Sequence, residues 1–308
     1  MFNPTQDGVI WLDGQWIEAP NARVHVMTHT LHYGFGVFEG LRAYKTKEGT
    51  AIFRLHAHTD RLFRSAKMLG IELPYTKSEL NAAQCQIIAK NKLEEAYLRP
   101  MCFHGDNTLG LRVKKDTTVH VMIASWEWKA YFANAEDLEN GIRVKMSSYT
   151  RHHVNSTLTK AKANGNYINS ILATQEAAQC GYDEALMLDL DGYLAEASSA
   201  NVFLVRDGII YTPPTDACLE GITRDSVLHI ARDEGFTVIE KRITRDEIYT
   251  ADEAFLTGSA VEIMAIREVD GRVLGHGTRG PVTGRLAKAF FDEVHGRREG
   301  YPDWLTLI

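Results

Sequence analysis

"TKAKANGNYINS", Thr159 to Ser170, sets two lysines, Lys160 and Lys162, among alanines, with Asn164, Gly165, Asn166 and Tyr167 directly behind them. Neighbours this small cannot cover two flexible cations. At a spacing of two the lysines share a face only if the segment is extended, because side chains alternate along a strand and diverge along a helix. The stretch is either a surface loop running into a helix, or it keeps one amine clear so that something large bonds to it. Lysine is the residue used when an amine must form a Schiff base with a carbonyl.

The chain around this stretch is that of a soluble globular protein. Its 308 residues suggest two domains, and 44% hydrophobic and 24% charged residues are ordinary values. A formal net charge of -6 speaks against a nucleic-acid binder, which carries a basic face, and gives no reason to expect an anionic membrane as partner. The opening "MFNPTQDGVIWLDG" has no basic region followed by an apolar core, so a cytoplasmic location is expected. Cys85, Cys102, Cys180 and Cys218 form no CxxC pair and read as reduced thiols. His25, His29 and His32 have helix-like spacing, but "VHVMTHTLHYG" reads as strand and turn and lacks matching carboxylates, so no metal site is expected.

Strand and helix signals are mixed throughout. Asp13-Gly14 joins two short apolar runs as a hairpin turn, and Asp191-Gly192, Asp207-Gly208 and Asp270-Gly271 repeat the signal. Helices are expected over Arg61–Leu69, after the capping box of Thr76 and Glu79, over Asn166–Gln179, over Thr223–Glu234 and over Val282–Val294. Strands and helices do not alternate one for one, so the class is α+β. The composition changes within Ser125–Gly141. We therefore expect a small domain over 1–127, a connecting loop over 128–138 and a larger domain over 139–308 that carries Lys162.

Three further stretches suit chemistry. In "LEGITRDSVLHIARDEG" Gly221 allows a close turn and Thr223 suits the N-cap, so the helix would aim free amides at an anion. "TGSAVEI", Thr257 to Ile263, is a second small loop with hydroxyls, and Arg61 is a candidate charged partner for a phosphate. Glu196, among alanines and serines, would be costly to bury without an adjacent cation, and makes sense opposite a protonated ring nitrogen. Tyr167 could donate to a phenolate oxygen near the lysine.

Taken in order, "HYGFGVFEGLR" (His32 to Arg42), "YLRP" (Tyr97 to Pro100), "KANGNY" (Lys162 to Tyr167), "LAEASSANVF" (Leu194 to Phe203), "LEGITR" (Leu219 to Arg224) and "TGSAVEI" resemble the ordered motifs of branched-chain amino acid aminotransferases. The resemblance runs from about Val9 to about Phe291. It implies a two-domain pyridoxal 5'-phosphate fold of type IV and transfer of the amino group of L-leucine, L-isoleucine or L-valine to 2-oxoglutarate.

Residue by residue, the resemblance matches Lys162 to the lysine that bonds the cofactor and gives Lys160 no chemistry. It matches Tyr167 to the donor to the phenolic oxygen and Glu196 to the acid on the pyridine nitrogen. Arg61, Ile222, Thr223 and Ser259 match the phosphate cup. Gly40, Tyr97 and Ala260 sit where the substrate carboxylate is held, and Phe38, Trp128 and Tyr131 match pocket walls. Tyr33 matches a residue lent by a partner subunit, which implies a homodimer at least, with a hexamer as a further assembly. Arg99 matches the receiver of glutamate's distal carboxylate.

There are departures too: Ser259 stands where threonine is frequent, Glu220 where proline is, with Arg224 expected to offset its charge, and "SSAN" is smaller than the usual pattern. The alternatives are a same-fold transaminase for D-amino acids or (R)-amines, an aminodeoxychorismate-type lyase, and a metal-binding protein without catalysis.

Overall fold

The computed structural model describes residues 3–107, 109–128 and 139–308. The chain forms two compact units, one of Met1–Lys129, Ala161–Gly165 and Glu293–Ile308, the other of Ala130–Lys160 and Asn166–Asp292. Two late stretches therefore return to the first unit. Ala163 bridges Val37 there, so Lys162 belongs to the first unit and not, as expected, to the domain formed by the later sequence. Of the expected loop 128–138, only Trp128 is among the described residues.

The first unit is built on an antiparallel sheet. Its strands are β1 (Val9–Leu12), β2 (Gln15–Glu18), β3 (Gly36–Phe38), β4 (Leu41–Lys45), β5 (Thr50–Phe53), β6 (Ala96–His104), β7 (Val119–Trp126) and the late β17 (Leu305–Leu307). They run in the order β17-β5-β4-β6-β7-β1-β2, with β3 added to β6. The Asp13-Gly14 turn forms as expected, with φ of 49° and 83°. Helices α2 (Leu55–Met68) and α3 (Lys77–Lys90) cover one face, where Leu62, Ala66, Leu80, Ile87 and Ile88 pack on Leu41, Ile52, Leu98 and Ile123. The Thr76–Glu79 capping box closes the start of α3 in both directions.

Helix α2 begins six residues before the expected Arg61. No Ser, Thr, Asp or Asn marks that start; Arg54 stands at the cap in left-handed conformation, and burial of Leu55 and His58 sets the first turn. "VHVMTHTLHYG" also departs from expectation, since His29–Tyr33 is a short helix, α1. Its apolar alternation misled because Val26 and Leu31 are exposed rather than packed on a core.

The second unit carries a mixed sheet of β8 (Ile142–Met146), β9 (Glu184–Leu188), β10 (Leu194–Ala197), β11 (Asn201–Arg206), β12 (Ile209–Thr212), β13 (Val238–Glu240), β14 (Glu253–Gly258), β15 (Glu262–Val269) and β16 (Arg272–Val273). The order is β10-β9-β8-β15-β14-β11-β12-β13, with β16 on β15. β8 runs parallel to both β9 and β15, and β12 parallel to β13. Asp207-Gly208 and Asp270-Gly271 both take positive φ, whereas at the Asp191-Gly192 turn only the glycine does.

Helix α4 spans Tyr167–Gln179, α5 Ile222–Asp233, α6 Arg245–Tyr249 and α7 Pro281–Val294. Helix α4 packs Ala173 and Ala177 on Ala185 and Met187 of β9. Helix α5 buries Val227, Ile230 and Ala231. All four cysteines are free, and burial pushes the thiols of Cys102 and Cys218 up to about 12.

Candidate active site

Lys162 is held by its backbone. Its N–H donates to Ser65 Oγ on α2 at 3.0 Å, and its carbonyl accepts from Phe38 N–H at 3.0 Å. The half-buried amine lies 5.1 Å from the centroid of the Phe38 ring. Lys160 behaves differently. Its amine donates to the carbonyl of Thr215 and pairs with Glu220 at 3.4 Å, both in the second unit. The opening pair thus separates into a lysine tied to a loop carbonyl and a carboxylate, and a lysine beside an aromatic face.

Arg61 lies on the buried side of α2. Its Nε and Nη2 donate to the two carboxylate oxygens of Glu39 at 2.6 and 2.9 Å, and His58 Nδ1 meets Glu39 Oε2 at 2.7 Å. Burial opposes the charge on Glu39, but Arg61 and His58 outweigh it and hold the carboxyl far below the usual carboxylate range. Burial also pulls His58 below its ordinary value, against the attraction of Glu39. His58 is then neutral, with its proton on Nδ1 donated to Glu39. Glu39 and His58 were not singled out in the sequence; a carboxylate inside "FEGLR" and a histidine three residues before Arg61 were the available signals.

Two of the remaining first-unit candidates, Tyr97 and Arg99, stand on one face of β6. Trp126 on β7 stands opposite Tyr97, and Phe38 on β3 stands opposite Met101. Gly40 lies against Tyr97 so closely that a Cβ there would come within 1.9 Å of the tyrosine oxygen. Trp128 tilts against Tyr97, with centroids 5.0 Å apart. Tyr33, at the end of α1, is 45% exposed, whereas Phe35 stacks on His104. Tyr131 lies outside the described residues.

In the second unit Glu196 is buried on β10, where a bulge between Leu194 and Glu196 resets the register and re-aims the side chain. The sequence offered it no cation, but the structure supplies one: Arg151 Nη2 lies 2.8 Å from Glu196 Oε1 and is itself fixed by Nη1 donating to Ser170 Oγ at 2.9 Å. A guanidinium this close offsets the cost of burying a carboxylate. Arg151 was missed because it follows β8 by a loop, 45 residues away in sequence.

Asn201 joins the parts of this half. Its Nδ2 reaches Glu196 Oε2 at 3.4 Å and the Leu219 carbonyl at 3.0 Å, and it pairs across the sheet with Thr257. Helix α5 starts from Gly221, which makes no side-chain cap, so Thr223 is the second helical residue and not the N-cap expected. The reason is steric: a Cβ at position 221 would lie 1.9 Å from Asn201 Oδ1. The first amides of α5, those of Ile222 and Thr223, are thereby left to an outside acceptor. Ser259 and Ala260 form the turn between β14 and β15, and buried Thr257 Oγ1 has no hydrogen-bond partner among the described residues. Tyr167 opens α4. Arg224 does not offset Glu220, as it bonds Glu240 and the Pro213 carbonyl; Lys160 takes that place.

The chain as a whole is similar to known enzymes. The family model of amino-transferase class IV matches residues 36–269. A branched-chain-amino-acid aminotransferase of Pseudomonas aeruginosa is 56% identical over 303 residues, 98% of each chain. The crystal structure of the Escherichia coli branched-chain amino acid aminotransferase superposes with a TM-score of 0.95 at 42% identity, covering 97% of this chain and 98% of that one. The branched-chain amino acid aminotransferase of Thermobaculum terrenum, in its PLP-bound holo-form, superposes with a TM-score of 0.90 at 33% identity over 98% of both chains. The α+β architecture is the type IV fold of these enzymes, and the chain belongs to the class IV aminotransferases, in the family of the branched-chain-amino-acid aminotransferases.

Proposed function

We propose that this chain transfers the amino group of L-leucine, L-isoleucine or L-valine to 2-oxoglutarate with pyridoxal 5'-phosphate as cofactor, releasing a branched-chain 2-oxo acid and L-glutamate. The residues fit such a cofactor. Anion-seeking amides stand uncapped at the start of α5, the Thr257 hydroxyl has no partner among the described residues, and a buried Glu196 has Arg151 beside it. The cofactor supplies an electron sink for the charge left on the substrate α-carbon when its proton departs.

In this proposal Lys162 Nζ holds the cofactor at rest and then, as a released amine, moves the α-proton. Glu196 keeps a proton on the ring nitrogen, and Tyr167 donates to the phenolic oxygen. Arg61, the Ile222 and Thr223 amides and Ser259 hold the phosphate. Gly40, Tyr97 and Ala260 hold the α-carboxylate, while Phe38, Trp128 and Tyr131 wall the side chain. Arg99 meets the distal carboxylate of glutamate.

One observation carries the substrate class: the face of β6 sets the Arg99 guanidinium among aromatic rings, a surface suited both to a branched apolar chain and to a second carboxylate. We also place the protein in the cytoplasm as a homodimer in which the partner lends Tyr33; the exposed Tyr33, Val26 and Leu31 support a covering surface. Among the described residues no helix is long and apolar enough to cross a membrane.

The test is a panel of amino donors with 2-oxoglutarate. Turnover of leucine, isoleucine and valine with glutamate released is expected. Preference for D-amino acids or (R)-amines, or turnover without a keto acid, would replace this proposal by a same-fold transaminase or a lyase. Membership of an enzyme family sets aside the metal-binding protein without catalysis.

A further inference from the structure

We propose that Trp126, which has no role above, decides how well the pocket accepts a dicarboxylic acid, by holding the Arg99 guanidinium in place. The inference rests on the proposed pairing of Arg99 with a distal carboxylate. Its basis is the pleat of β6. Tyr97, Arg99 and Met101 point to one face, and antiparallel pairing sets Trp126 opposite Tyr97, Ala124 opposite Arg99 and Phe38 opposite Met101. Arg99 therefore has a ring on each diagonal and a small residue directly across, which leaves room for the guanidinium to lie down between them.

The distances agree with that register. The guanidinium carbon is 4.6 Å from the Phe38 centroid, 5.5 Å from that of Tyr97 and 5.9 Å from that of Trp126. No carboxylate pairs with Arg99 among the described residues. Among the described residues its only hydrogen bond is a long one, Nη2 to the Tyr97 hydroxyl at 3.5 Å, and its buried Nε has no partner there. A half-buried cation in this position is held chiefly by π faces. It is oriented, yet it keeps donors for an arriving carboxylate.

Of the three rings, indole attracts a cation best, and this one is itself fixed. Trp126 tilts against Tyr97 with centroids 5.1 Å apart and against Trp128 at 6.0 Å. Phe38 is shared with the Lys162 amine at 5.1 Å, and Tyr97 lies against Gly40, so both are constrained by other duties. Trp126 is the one of the three that is given no contact with the lysine or the α-carboxylate, although it leans on Tyr97. It is a positioning residue, and its effect should be confined to ligands that use Arg99.

The test compares two acids on the holoenzyme, the dicarboxylate glutarate and the branched monocarboxylate 4-methylvaleric acid, with binding read from the change in cofactor absorbance. Steady-state KM for 2-oxoglutarate and leucine is measured alongside. Trp126→Leu, which keeps apolar bulk and removes the π face, should raise the glutarate Kd and the 2-oxoglutarate KM by about tenfold and leave 4-methylvaleric acid within about twofold. Trp126→Phe restores a smaller ring and should show a rise of about threefold for glutarate alone; it also provides a variant to measure should Trp126→Leu fail to fold. Equal weakening of both acids would mean that Trp126 only supports the sheet, and no change in either would remove it from recognition; both outcomes overturn the proposal. A wild-type enzyme that turns over leucine with some other keto acid and does not bind glutarate would instead overturn the pairing assigned to Arg99.

Discussion

Lys160 and Lys162 are two residues apart and differ in what surrounds their amines, so their substitutions should separate. Lys162→Ala is expected to lose the visible absorbance of the lysine-bound cofactor and nearly all turnover, while Lys160→Ala keeps both. Borohydride reduction and peptide mapping check the assignment, and a pyridoxyl group found on Lys160 would reverse it. Glu196→Gln should retain cofactor but lower turnover by several powers of ten, each about 1.4 kcal/mol of barrier; near-normal turnover would take Glu196 out of the reaction. The Glu39–His58–Arg61 group bears on pH. His58 is held below its ordinary 6.5, so as pH falls through that value the unfolded chain binds the proton first and stability drops. Glu39 has the usual carboxylate sense: its contribution is complete above 4.5 and is lost as pH falls from there toward its much lower folded value. Urea stability should therefore decline from pH 7.5 to pH 5, and His58→Gln should flatten that slope. An unchanged slope would mean that His58 is not the group responsible.

At the scale of elements, two helix starts are built in opposite ways. Helix α3 closes its own first turn through Thr76 and Glu79, so Thr76→Ala should cost about 1 kcal/mol of stability, read from urea unfolding, with kcat unchanged. Helix α5 does not close its first turn, because the Asn201 amide occupies the space a capping side chain would need. Gly221→Ala must push that amide aside. It should weaken pyridoxal phosphate binding at least about tenfold, or about 1.4 kcal/mol, in an absorbance titration of the stripped enzyme. Unaltered affinity in a folded Gly221→Ala protein would show that the open helix start does not hold the phosphate.

For the whole molecule, the exposed ring of Tyr33 sits next to Phe35, which turns inward and stacks on His104. Neighbouring aromatics with opposite fates suggest that one completes its own unit and the other waits for a partner. Mixing inactive Lys162→Ala chains with Tyr33→Ala chains should give hybrid dimers with one intact site and activity above either parent. A fully active monomer, measured by sedimentation at assay concentration, rules the shared site out.

What could be read along the chain was whatever rests on local rules. The capping box at Thr76, the Asp13-Gly14 hairpin and the helix after Pro281 need only neighbouring residues, and all three formed. The order of the motifs was likewise enough to point to the family and to favour Lys162 over Lys160. Other features lay beyond local reading. The start of α2 at Leu55 depends on burial against the sheet, and the cap of α5 at Gly221 depends on an asparagine twenty residues earlier. Arg151 beside Glu196, Glu39 beneath Arg61, and the three rings around Arg99 are charges and π faces brought together by strand register and loops. Sequence alone determined which groups this protein has for its chemistry. Tertiary structure decided which of them are charged, which way they are turned and what holds them, because desolvation and Coulomb attraction depend on distance in space and not on position along the chain.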